Sequence, residues 1–228
     1  MLWMKAWFET RWRLALMTVL LLLVFALALA KPSLSQATMN AALFAIGLDT
    51  CFGCVILAGA GVQTQPIFQT VRGVHASMTF TLSLPVTRLR LLYVRAALGL
   101  AESIGFIVAV CCAEWLIFRS LLGNPGVLDL LKLIFEYAAF GVAVHCVSIF
   151  FATVFDLIFQ MYATLLAMGF LWFITSRLHL PRSIDIFRLM IGDPALVTHT
   201  LLCRIAVSCS LALISLLAAA RIVQTREY

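Results

Sequence analysis

Runs of about twenty apolar residues, parted by short polar intervals, constrain this chain more than any other feature. A backbone that leaves water must satisfy its own N–H and C=O groups, and a run of that length does so as one helix across a bilayer core of roughly 30 Å. Of the 228 residues, 64% are hydrophobic and 11% charged. A soluble domain of this length has too little interior to hide such a composition. The expected fold is all-α and polytopic, with about six spans in a single transmembrane domain over residues 1–228.

The spans are expected at about 14–30, 41–62, 91–118, 127–154, 157–175 and 194–223. Ahead of them, Met1 to Arg13 places Trp3, Met4, Trp7 and Phe8 on one helical face and Lys5, Glu9 and Arg13 on the other. That spacing predicts an amphipathic helix in the membrane interface, a basic topology signal being the plainer alternative. Ala28-Leu29-Ala30 after the first apolar run has the look of a signal-peptide cleavage site. The run is longer than the usual signal core of about 7 to 15 residues, so a retained helix is expected. Gly47, Gly53, Gly59 and Gly61 make the second span one that neighbouring helices can approach closely. Asn124-Pro125-Gly126 is a turn, and Asp193-Pro194 reads as an N-cap followed by Pro at the first helical position. Between the fifth and sixth spans, Arg177 to Asp193 is expected to hold a short interfacial or re-entrant helix.

Lys and Arg orient the chain. With both termini cytoplasmic, nine basic residues fall inside and seven outside, but the first two cytoplasmic segments carry seven against one in the loop between them. Early helices usually dominate orientation, so both termini are expected inside. The net charge of +6 lies beside apolar runs rather than on one polar face, which argues against nucleic acid as a partner and for membrane lipid.

Phosphate-loop, His-Glu-x-x-His and Gly-x-Ser-x-Gly motifs are absent from the sequence, and with them the usual signs of an ATPase, a zinc protease or a serine hydrolase. No catalytic residue and no metal ligand is expected. Cys51 and Cys54 have redox or metal spacing but sit in an apolar helix, where core packing is the more ordinary role. Asp49, Glu102, His145 and Arg204 are ionisable groups at membrane depth, hence candidates for function, with structural pairing the favoured reading for the three charged ones. Glu102 lies two turns along from Arg95 on the same face, so an internal or interhelical ion pair near the inner surface is its plainer reading. His145 reads as a haem or proton-relay ligand, or as a bond to a neighbouring helix.

The polar interval from Gln63 to Arg95 holds Arg72, His75, Arg88, Arg90 and Arg95 and no acid. Its residues 77–84 alternate polar and apolar, a strand period whose edges would go unpaired at a membrane surface. Ser83-Leu84-Pro85-Val86-Thr87-Arg88, running directly into the third span, resembles the cytoplasmic signature of ABC-2-type permeases. The resemblance extends to the N-terminal amphipathic helix, the six spans, the short fourth-to-fifth connection and the outer segment before the last span. Upstream, Arg72-Gly73-Val74-His75-Ala76-Ser77 departs from the acidic residue and Gly-Thr common in that family.

The resemblance implies that residues 63–90 form a helical coupling segment docking on a separate ATP-binding subunit, with Phe80, Leu84, Pro85, Thr87, Arg88 and Arg90 as its contacts. It further implies two copies of that ATPase, ATP bound there and no cofactor on this chain, and a second permease subunit forming a homo- or heterodimer. The expected setting is the inner (plasma) membrane of a bacterium. A non-transporting scaffold or assembly factor is the alternative from another class. A redox protein built on haem or on Cys51 and Cys54 is a third.

Overall fold

The computed structural model describes residues 2–29, 36–58, 87–118, 126–155, 157–178, 180–191 and 197–225. All regular structure among them is helical: α1 (Leu2–Leu29), α2 (Gln36–Ala58), α3 (Arg88–Phe118), α4 (Val127–Ala152), α5 (Leu157–Arg177), a 3₁₀ helix (Ile186–Ile191) and α6 (Thr198–Thr225). Four of these, α3 to α6, are long and apolar enough to cross a membrane. Phe80, Leu84, Pro85, Asn124, Pro125, Asp156, Asp193 and Pro194 lie outside the described residues, as does most of the expected coupling segment.

Several boundaries differ from expectation. Helix α1 runs unbroken through Arg13, so the interfacial segment and the first span are one 28-residue helix. Neither Gly nor Pro interrupts Glu9 to Leu16, and nothing local would end the hydrogen-bond ladder there. Helix α3 begins at Arg88 rather than Leu91 and has 31 residues, about 46 Å at 1.5 Å per residue. Its first turn is set by Thr87, whose Oγ1 accepts the Arg90 N–H at 3.3 Å. That is an N-cap bond to the third helical residue, and it gives the Thr of the Ser-Leu-Pro-Val-Thr-Arg stretch a physical role. The cationic Arg88 and Arg90 stand at the positive end of the helix dipole, where acids would be favoured, so local helix energetics do not account for them.

Helix α4 is the centre of the bundle. It packs against α2, α3, α5, α6 and the 3₁₀ helix, and 61% of its apolar window is buried, against 44% for α3, 28% for α6 and 17% for α5. Its start is fixed by Asp129, which accepts the Gly126 N–H at 3.3 Å and pairs with Lys132 at 3.5 Å. Its end comes at Ala152, two residues short of the expected Val154, where the Thr153 hydroxyl donates to the Phe150 carbonyl at 2.7 Å. Tyr137, Phe140, Val144 and Val147 form its apolar stripe, meeting Cys51, Cys54, Val55 and Ile107 in the main core. Cys51 and Cys54 are thus core residues with free thiols.

The 3₁₀ helix turns Ile186, Phe187 and Leu189 into that same core, with the Phe187 ring edge-on to Phe140 at 5.9 Å. The expected interfacial segment is therefore folded onto the bundle. At two helix crossings a residue larger than glycine would force its neighbours to shift. A Cβ on Gly141 would collide with Ile107 Cδ1 and come within 3.0 Å of Cys54 Sγ. A Cβ on Gly99 would stand 2.7 Å from His145 Cε1 and 3.0 Å from the Leu57 carbonyl.

Two outcomes follow from this packing. Gly141→Ala should lower thermal stability in detergent by the equivalent of about 1–3 kcal/mol, as overpacked cores do, and Ile107→Val, which removes the colliding methyl, should restore part of it. Thr87→Ala should cost about 1 kcal/mol while Thr87→Ser is tolerated, the difference being loss of the cap; equal melting temperatures for the two would show the cap to be idle.

Candidate functional site

Two polar clusters are buried in the bundle, one toward each end of α4. At the end where α4 begins, Glu136 and Arg204 of α6 form an ion pair with both side chains under 5% exposed. The Arg204 Nη1 donates to Glu136 Oε1, and its Nε donates to the Arg182 carbonyl at 2.9 Å. A guanidinium has five donors in a rigid fork, so one residue can hold a helix and a loop together. The loop is held further by Asp185, which accepts the Phe187 N–H at 3.1 Å and lies 3.6 Å from Arg188 Nε. Arg204 is therefore structurally paired, as expected, but to a partner the sequence reading did not single out.

Toward the other end, side chains reach three successive carbonyls in the last described turn of α2. His145 Nδ1 lies 3.3 Å from the Cys54 carbonyl and 3.3 Å from Ser103 Oγ on α3. A carbonyl only accepts, so the bond to Cys54 is made by the tautomer with its proton on Nδ1. Ser148, one turn along α4 from His145, donates to the Val55 carbonyl at 3.4 Å and accepts from Gln160 Nε2 of α5 at 2.8 Å. Arg13 of α1 donates to the Ile56 carbonyl at 3.3 Å. Of the readings open for His145, the bond to neighbouring helices is the geometry present.

The remaining candidates stand apart from these clusters. Asp49 is half-buried on α2, its Oδ2 has no hydrogen-bond partner, and among the described residues no ion pair holds it. The expected structural pairing is not seen there among the described residues. Glu102 is buried on α3 next to Ser103, while the side chain of Arg95 lies outside the described residues. Thr87 and Arg90 are exposed at the start of α3. Glu114 is buried on α3 with Oε2 unpartnered. Like Glu136, Ser103, Ser148 and Gln160, it is a buried polar residue that sequence reasoning passed over. For Ser148 and Gln160 the only signal was polarity inside or beside an apolar run.

Among the described residues no three His, Cys, Asp or Glu side chains come together as metal ligands. Each cluster ties helices together through buried hydrogen bonds. Compared with protein-family models, with curated proteins and with solved structures, the chain matches none.

The buried pair makes a test of its own. Glu136→Leu or Arg204→Met alone should cost about 3–5 kcal/mol, since each leaves the other charge stranded. The double substitution should recover most of that loss in a thermal melt; a double variant no more stable than either single one would mean that the pair contributes through something other than charge compensation.

Proposed function

We propose that this chain is a membrane permease subunit of an ABC-2-type exporter, driven by two copies of a separate ATP-binding subunit and working as a dimer of permease subunits. The reading rests on one observation. The stretch Ser83 to Arg88, which resembles the signature of those permeases, runs into a 31-residue helix whose first turn is capped by Thr87 of that same stretch. A cytoplasmic contact joined to so long a rod can move the far side of the membrane as a rigid body.

Other features support it. Helices α1 and α2, added to the four long apolar helices, would make six spans with both termini cytoplasmic. The 3₁₀ helix before α6 fits the outer segment of the family. Arg88 and Arg90, unfavourable for the helix they begin, are suited to a partner surface or to lipid phosphate. Helix α5 leaves Phe159, Tyr162, Leu166, Phe170 and Phe173 exposed, and with parts of α1 and α2 it would line the pathway at the dimer interface.

The test is a detergent pull-down of tagged protein co-expressed with the ATPase subunit encoded nearest to it, with ATP hydrolysis assayed on the eluate. A stoichiometric nucleotide-binding subunit that hydrolyses ATP is the expected result. Charge reversal at both Arg88 and Arg90 should then abolish the association or the hydrolysis that depends on it. If no nucleotide-binding subunit elutes in several mild detergents, the chain is a membrane scaffold and the Ser83 to Arg88 resemblance is coincidental.

A further inference from the structure

The ion pair near the start of α4 leaves one buried acid out. Ser103 of α3 meets His145 of α4 and Ile107 meets Gly141, so the two helices run antiparallel. From the Ile107 crossing, Cys111 and Glu114 follow on the same stripe of α3 at i+4 and i+7, while Tyr137 and Glu136 lie about one turn back along α4. Tyr137 accordingly has Glu114, Cys111 and Glu136 within electrostatic range. Glu114 is 3% exposed, and its Oε2 has no hydrogen-bond partner.

Cations are scarce on the helices that could supply one. Helix α3 packs against α1, α2, α4 and α6. Residues 14–29 of α1, the whole of α2 and residues 96–118 of α3 contain no Lys, Arg or His. Asp49 and Cys51 of α2 bring no positive charge. On α4, Lys132 pairs with Asp129, and His145 lies toward the other end of the helix. On α6, Arg204 is taken by Glu136 and by the Arg182 carbonyl. Two carboxyl groups thus stand near Tyr137 with one guanidinium for the two.

We propose that Glu114 is a proton-binding site. A carboxylate with no counter-ion is costly at membrane depth. A side chain so deeply buried has room for a proton, and among the described residues no three ligating side chains come together for a metal. With the proton bound, Glu136 is the one anion beside Tyr137. When the proton leaves as H⁺ to water, the carboxylate left behind repels Glu136 and loosens α3 from α4. Glu114 stands one turn from the end of α3 at Phe118, where the proton has a short way to water. The site is independent of the exporter reading.

Infrared spectra of the full chain test this, taken in an ester-free detergent so that no lipid carbonyl interferes. Expected in neutral buffer is the carbonyl band of an un-ionised carboxylic acid that Glu114→Gln removes, with the carboxylate bands of the two proteins equal. Loss of carboxylate intensity instead, with the acid band unchanged, overturns the proposal. Thermal melts supply a second reading. A folded chain that holds a proton which the unfolded chain gives up loses stability as pH rises. The melting temperature of the unaltered protein should therefore fall in alkaline buffer by several degrees more than that of Glu114→Gln, and parallel curves for the two would overturn the site. The amide has the shape of the protonated acid and strands no charge, so it should melt with the unaltered protein in neutral buffer. Glu114→Met, which also strands no charge, gives both readings if the amide does not fold.

Discussion

The polar side chains Glu136, His145 and Ser148 that α4 buries take partners on other helices, and the bundle is arranged around those bonds. Glu136 takes Arg204 from α6, His145 takes the Cys54 carbonyl of α2 and the hydroxyl of Ser103 on α3, and Ser148 takes the Val55 carbonyl and the amide of Gln160 on α5. Apolar contact alone is nearly indifferent to register, because lipid tails are as apolar as Leu. Hydrogen bonds and the ion pair are not indifferent, since each is made at one rotation and one height only. Helix α4 therefore sets where four neighbours stand, and the glycines at its crossings let them stand close enough.

The helical class and the approximate places of the helices were legible because twenty-residue apolar runs have few other solutions. The limits of each helix were less so. Arg13 looked like the end of an interfacial segment by charge, yet the backbone has no reason to break there, and the arginine instead reaches across to α2. The Thr87 cap could have been read from the sequence, as a Thr just before a long helical run. Glu136 could not, because it follows Lys132 by four residues and has the look of a surface i, i+4 pair, whereas Lys132 turns to Asp129. The cluster at His145 draws on three helices separated by 42 and 91 residues, a juxtaposition that no local pattern encodes. Asp49, for which pairing was the natural expectation, has no ion pair among the described residues, so depth in an apolar run is a weak guide to a partner.

Packing around α4 is graded rather than uniform. Its partners α3 and α2 close tightly enough to exclude a methyl group, while α5 lies on the rim, with most of its aromatic side chains turned outward and Gln160 as its polar tie to α4 through Ser148. The loop before α6 is drawn inward by Phe187 and by the carbonyl of Arg182, so a charged interval of the sequence is anchored to the bundle.

The pair between Glu136 and Arg204 also bears on how the protein is made. Its members are 68 residues apart, so α4 leaves the ribosome well before the arginine that compensates it. A carboxylate at membrane depth is costly until a partner arrives. Until α6 is synthesised, Glu136 lacks the charge that pairs with it in the folded bundle. A nascent chain arrested short of α6 would therefore carry an uncompensated acid in the helix around which the bundle packs.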